Sequence, residues 1–267
     1  RPMVPKQKFS NTLQVSMAGQ YFNSITPFAS GGQPFQAFYL AKQGIPVSAG
    51  ATALLSKFIV YQVALTLLSL FVLFWKLNFF STTISNFAYL AIIGFAVNSF
   101  VVMVLLAAAF FRRPTRAVVR WVLRVGHKLK LVSDPTEKME KVDASLGRFY
   151  DNCKFLIGNV PLLIRSLLLS MVQILFYLAV AYMVYRAFGL NEADFFVMIA
   201  ASAFVMLISS FIPLPGAAVA SEGSFYLFFS IFFPDSVLKI AMLFWRLITF
   251  YLTIVVGAVF ALMERRN

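Results

Sequence analysis

Two residue types that carry much of protein chemistry are nearly missing. The 267 residues hold one cysteine, Cys153, and one histidine, His127. A single cysteine excludes a disulfide within the chain and any Cys-based metal site. A single histidine excludes His clusters for catalysis or metal binding, and no cofactor or metal ligand set is expected. Acids are scarce as well: ten Asp and Glu stand against 23 Lys and Arg, a formal charge of +13. Charged residues are only 12% of the chain, against about 25% in soluble domains. The opening "RPMVPKQK" has charges but no apolar run behind them, so it is not a signal peptide.

What is abundant is apolar. Hydrophobic residues make up 60% of the chain, and the mean hydropathy is +0.82. Several runs exceed the roughly 20 residues needed to cross a bilayer. The fold class that follows is all-α: a polytopic membrane helical bundle, one transmembrane domain over 1–267. In a soluble protein +13 would suggest nucleic acid. Here the cations concentrate between spans, so membrane orientation and anionic lipid head groups explain them, and no nucleic-acid partner is expected.

The expected order is a polar-rich segment at 9–26, a broken stretch at 27–40, and spans at 48–75, 85–111, 157–185 and 194–212. A second break, a short apolar segment at 222–233 and a last span at 236–262 complete it. The sizeable polar part, 112–155, has eleven Lys and Arg against five acids. The positive-inside rule makes it cytoplasmic, with 76–84 and 191–194 outside. The C-terminal "ERRN" resists simple alternation: if 213–233 returns to the side it entered from, two arginines lie outside. Within the basic part, Arg112, Arg116, Arg120, Arg124 and Lys128 recur every four residues. Trp121, Val122, Val125, Leu129 and Val132 supply an apolar side. This reads as an amphipathic helix on the inner leaflet, with anionic lipids as partners, or as a solvated helix packed on the spans.

The two breaks look alike. "SITPF" (24–28) and "SFIPL" (210–214) share Ser and Pro spacing, glycines follow (Gly31 and Gly32; Gly216), and a second proline comes after the first (Pro34; Pro215). Each then leads through a short apolar segment into a long span that carries a cation, Lys57 or Arg246. A degenerate internal repeat with two re-entrant segments is the expected plan. Non-helical backbone inside a bilayer must be buried in protein or line a wet cavity. Paired interruptions in corresponding halves point to a transporter site. Gly32 or Gln33 can cap one short helix, with Pro34 in its first turn. Ser221 can cap the other, with Glu222 in its first turn. The plainer alternative is two proline kinks without a ligand.

In the last span Lys239, Arg246, Thr249, Thr253 and Gly257 fall within about 80° of one another at 100° per residue. An ionisable residue inside a span is a functional candidate. The candidate binding residues are therefore Arg246, Glu222, Lys57 and Lys239 for charge, and Gln33 and Thr253 for hydrogen bonds. Pro27, Gly31, Gly32, Pro213, Pro215 and Gly216 shape the breaks. Together they describe a polar cavity suited to a phospholipid head group. No catalytic residue is assigned, because an enzyme would need an acid or His pair, and Glu192 and Asp194 have no His or Cys beside them.

Three stretches, "GGQPFQAFYLAKQGIPVSAGATALLSKFIVYQ" (31–62), "PLPGAAVASEGSFYLFF" (213–229) and "FWRLITFYLTIVVG" (244–257), resemble the lysylphosphatidylglycerol synthase transmembrane-region family. That family includes the flippase domain of bacterial multiple peptide resistance factors. The resemblance implies lipid translocation in a bacterial plasma membrane, which lowers negative surface charge and susceptibility to cationic peptides. It implies further span sequence before Arg1. In bifunctional relatives a separate cytosolic domain makes the aminoacylated lipid; a transferase label here would describe the family. Glu222 and Arg246 match the family pattern. Gln33 stands where an acid is frequent, and Ala217, Val219 and Ala220 where glycines are. A membrane subunit of the lysyltransferase, and an assembly subunit acting through 112–155, are the alternative functions.

Overall fold

The computed structural model describes residues 8–83, 87–128, 135–209 and 214–263. Every regular element among them is helical. They are α1 (Phe9–Ile25), α2 (Gly32–Lys42), α3 (Val47–Thr83), α4 (Phe87–Phe110), α5 (Arg112–Lys128) and α6 (Pro135–Gly158). Then come α7 (Val160–Ala187), α8 (Phe195–Ser209), α9 (Ala220–Phe229), α10 (Asp235–Arg246) and α11 (Leu252–Met263). Four stretches are long and apolar enough to cross a membrane: Val47–Lys76, Ile93–Phe110, Val160–Ala187 and Asp235–Met263. The polytopic all-α expectation holds.

The helices start and stop for local reasons. Gly158, Asn159 and Pro161 separate α6 from α7, and Asn159 Oδ1 caps α7 by accepting from Leu162 N at 3.3 Å. No glycine or proline interrupts 76–83, and α3 runs through it to Thr83, where a connecting loop was expected. α8 is apolar on every side and Val197–Val205 are all buried, so it forms the centre of the bundle. Phe80, Phe204, Phe225, Phe228 and Phe229 are fully buried around it.

Each break folds the chain back on itself. Across α1 and α2, Gln36 Nε2 donates to Val15 O, Phe22 stacks on Phe35, and Gly32 N donates to Asn23 Oδ1. Partner numbers fall on one side as they rise on the other, so the pair is antiparallel. Across α8 and α9, Phe204 stacks on Phe228 and Ser221 Oγ donates to Ser209 Oγ at 3.1 Å, again antiparallel. α8 has 15 residues, about 22 Å, less than the roughly 30 Å of a hydrocarbon core.

The two turns match at their first and third positions and differ at the second, where Gly216 lies at φ 60° and Phe28 does not have positive φ. Pro27–Ala29 and Pro215–Ala217 are both 3₁₀ turns, preceded by extended Thr26 (φ −113°, ψ 146°) and Leu214 (φ −104°, ψ 147°). Their third residues, Ala29 and Ala217, lie at φ 50° and 49°. The offset between the turns is 188 residues (215 − 27), and α2 to α9 (220 − 32) and α3 to α10 (235 − 47) keep it. The repeat therefore aligns Pro27 with Pro215. The Ser-to-Pro spacing paired it with Pro213, which lies outside the described residues.

Side pairs fix the course of the chain. Near α7 and α10, Phe188 lies against Phe244 and Tyr177 against Thr249, so these helices run in opposite directions. Gly257 of α11 packs on Met17 and Tyr21 of α1. Ile59 of α3 meets Ala109, Phe149 and Cys153 of α4 and α6. One face of the bundle thus carries the start of α3, the end of α4, the α5–α6 hairpin and the start of α7. α11 runs toward that same face. The opposite face carries 188–194, the start of α8 and the 230–235 turn. The re-entrant unit is α8 with α9, and α10–α11 makes the net crossing, bringing Met263 to the face of the α5–α6 hairpin; the C-terminal "ERRN" lies outside the described residues.

Candidate functional site

A cavity of about 710 Å³ opens between the breaks and the long helices. Its polar wall includes Gln20, Asn23 and Ser24 of α1, Tyr61 and Gln62 of α3, Tyr177 of α7, and Ser202 and Ser209 of α8. Ser221, Arg246 and Thr249 complete it, and Gly216 and Ala217 bring the second turn to its edge. Phe58, Leu65, Val97, Val101 and Val205 supply apolar surface.

Arg246 ends α10 and is 6% exposed. Its Nη2 donates to Gly216 O at 3.1 Å. Its Nε lies 2.9 Å from Glu222 Oε1, an ion pair by distance whose Nε–H is not aligned for a hydrogen bond. Phe250 places its ring 4.5 Å from the guanidinium carbon. A π-helical turn, Leu247–Tyr251, follows directly and carries Thr249 and Phe250. Such turns are frequent at functional sites, because the extra residue re-aims side chains.

Glu222 does two things. Its Oε1 faces Arg246, and its Oε2 accepts from Val219 N, capping α9 from the third helical position. Ser221 was expected as the cap. It lies inside α9 instead, and the residue before the helix is Val219, whose side chain has no acceptor. The turn is strained: Gly216 (φ 60°), Ala217 (φ 49°) and Val219 (φ 69°) all lie in the left-handed region. A Cβ on Gly216 would sit 2.1 Å from the Phe250 ring, so glycine is required by space as well as by φ.

The first break is closed by its own helix. Thr26 Oγ1 accepts from Gly31 N at 2.8 Å and Asn23 Oδ1 from Gly32 N at 2.9 Å. A Cβ on Gly32 would meet Asn23 Oδ1 at 2.2 Å, and one on Gly31 would meet Thr26 Cγ2 at 2.6 Å. These glycines let α1 approach and leave their N–H groups engaged. At the first break α1 takes up the Gly31 and Gly32 donors; at the second, Glu222 takes up the Val219 N–H, which precedes the first turn of α9.

Several expected site residues lie elsewhere. Lys57 is exposed and lines a separate cavity of about 160 Å³ with Gln36 and Gln43. The 188-residue offset aligns Lys57 with Trp245 and Phe58 with Arg246. Phe58, not Lys57, therefore stands on the main cavity wall at the position that matches Arg246. Lys239 shares Arg246's face but sits two turns away, about 10 Å, and is exposed. Thr253 Oγ1 donates to Thr249 O and does not line the cavity. Gln33 and Pro27 are also outside its wall, and Pro215 sits at the head of the second turn. Pro213 lies outside the described residues. Of the wall, Gln62 shares a polar helix face in the sequence with Thr52, Ser56, Thr66 and Ser69, Tyr177 one with Asn159, Ser166, Ser170 and Gln173, and Thr249 that of the last span; Ser202, inside an apolar helix, gave no such signal.

Beside this site lies the α5–α6 hairpin. Asp143 pairs with Arg116, and Arg112 stacks over Tyr150 at 5.6 Å. Val118, Trp121 and Val122 remain exposed on another side of α5. Cys153 is buried in α6, where a polar loop was expected; burial raises its thiol pKa, and a hydrogen bond with Ser56 lowers it by less.

The model of a family described as "Lysylphosphatidylglycerol synthase TM region" matches residues 1–257. A "UPF0104 membrane protein" of Archaeoglobus fulgidus is 26% identical over 258 residues, covering 94% of this chain and 75% of that protein. No solved structure matches the chain.

Proposed function

The chain belongs to the lysylphosphatidylglycerol synthase transmembrane-region family, and from that premise we propose that it carries an anionic phospholipid or lipid-linked anion between membrane leaflets. The observation that carries this reading is Arg246, buried on the wall of a roomy cavity among membrane-length helices. A buried guanidinium with space beside it suits a phosphate, which it can bind with two hydrogen bonds. Phosphate and Glu222 compete for the same guanidinium. The head group occupies the cavity while the acyl chains stay in lipid. An aminoacylated phosphatidylglycerol is the substrate the family's name suggests.

The α5–α6 hairpin faces the cytoplasm of a bacterial plasma membrane in this reading. Anionic inner-leaflet lipids then meet Arg112, Arg120 and Arg124 and the helix's apolar side, with Arg116 partly engaged by Asp143. Two features support it: α5 follows directly on a membrane-length helix, and Val118, Trp121 and Val122 continue the apolar surface of Phe110 and Phe111. Outward transfer of an aminoacylated lipid would lower negative surface charge.

Reconstitution tests the proposal. Proteoliposomes with labelled phosphatidylglycerol should exchange it between leaflets faster than protein-free vesicles. Arg246→Ala should return the rate to the protein-free value. Exchange no faster than in empty vesicles removes the reading.

A further inference from the structure

We propose that Gln62 is a second pole of this cavity: a hydrogen-bond acceptor, oriented by Asn98, that selects head groups bearing a hydroxyl or ammonium donor. The inference rests on the lipid-binding reading above and adds what the head group must carry besides its phosphate.

A chain of hydrogen bonds sets the orientation. Thr66 Oγ1 donates to the main-chain oxygen of Gln62 at 2.8 Å. Its one proton is thereby used, so toward any other partner it can only accept. Asn98 Nδ2 lies 2.8 Å from Thr66 Oγ1 and donates to it. That turns Asn98 Oδ1 toward Gln62, whose Nε2 donates to it at 2.7 Å. Asn98 is fully buried, so the amides are held by these bonds and not by water. Gln62 Nε2 retains a second N–H, Oε1 has no hydrogen bond among the described residues, and Gln62 lines the cavity. With Nε2 turned to Asn98, Oε1 gives the site its acceptor capacity.

Gln62 comes to the wall from α3 and Arg246 from α10, so the two side chains border one cavity from different helices. Arg246 supplies donors on the α10 wall, and Gln62 supplies acceptor capacity on the α3 wall. A site with both poles fits a phosphate joined to a donor-bearing group and disfavours a phosphate capped by an alkyl group, because the buried acceptor is then left unpaired.

Phosphatidylglycerol and phosphatidylmethanol separate these cases, because they share a charge and differ in hydroxyl donors. The full chain is placed in nanodiscs holding equal amounts of both, and the lipids retained after extraction are counted. The native chain should retain phosphatidylglycerol over phosphatidylmethanol by roughly five- to tenfold, the scale of one net hydrogen bond. Gln62→Met should bring that ratio near one while leaving phosphatidylmethanol retention unchanged. Thr66→Val, a milder change that frees Asn98 to turn over, should lower the ratio in part. Arg246→Ala should reduce retention of both lipids together. Equal retention of the two lipids by the native chain, or an equal fall in both with Gln62→Met, overturns the role of Gln62. Selective retention without leaflet exchange would instead overturn translocation and leave the acceptor pole standing.

Discussion

Arg246 is held by three neighbours of different kinds: a carbonyl from the turn, a carboxylate from α9 and an aromatic face from the π-helical turn. Each comes from a segment that is short or strained, so the site is built at the point where the backbone departs from regular helix. Val219 shows the strain most plainly. It is β-branched, 74% exposed and at φ 69°. Its side chain contributes little packing while its conformation costs about 1 kcal/mol or more. Val219→Gly should therefore raise the thermal unfolding midpoint, read by a dye-based melt in detergent; an unchanged or lowered midpoint would show that the turn is not strained there. Arg246 and Glu222 could be picked out from the sequence because charge stands out against an apolar run. Gln62 could be placed on a polar face, yet its role was hidden, since it depends on Asn98, 36 residues away.

At the scale of the element, the re-entrant hairpins depend on close backbone approach. Gly257 brings α11 onto α1: a Cβ there would sit 2.7 Å from Met17 O and 2.8 Å from Tyr21 Cβ. Backbone cannot swing aside as a side chain can, so Gly257→Leu should separate the helices and cost about 1–3 kcal/mol. A drop in the melting midpoint, with loss of the native elution peak at higher severity, checks it; a native-like melt would contradict the packing. Helix existence followed from apolar runs and breakers, and the spans expected at 157–185 and 236–262 lie close to α7 and α10–α11. What the pattern concealed was the role of α8. Fifteen apolar residues look like a short crossing, and only its pairing with α9 shows it to be half of a hairpin. The π-helical turn was hidden for a similar reason: the β-branched and aromatic residues of "LITFY" also occur throughout the neighbouring α-helices, so they do not mark a change of helix type.

For the whole molecule, the course of the chain separates charge by face. The face bearing 188–194 has Lys76, Arg186 and Lys239 against Glu192, Asp194 and Asp235, three cations and three acids. The other bears the basic hairpin, where eleven cations meet five acids over 112–155. Cations crowd one face only, as the positive-inside rule requires of a protein with a single orientation. In a Cys153→Ser background, Arg124→Cys and Met263→Cys should label from one side of sealed vesicles and Asn191→Cys from the other. Labelling of Met263→Cys from the side of Asn191→Cys would overturn the topology.

In the proposed function one buried cation, held at the second break, handles the lipid phosphate. Leaflet exchange of labelled phosphatidylglycerol, compared between Arg246→Ala and Lys57→Ala, tests it most directly. Both variants remove one cation from a helix that follows a re-entrant hairpin. Only Arg246 borders the main cavity. Arg246→Ala should fall to the protein-free rate while Lys57→Ala stays near the native rate. Native exchange in Arg246→Ala, or loss in Lys57→Ala alone, would contradict it.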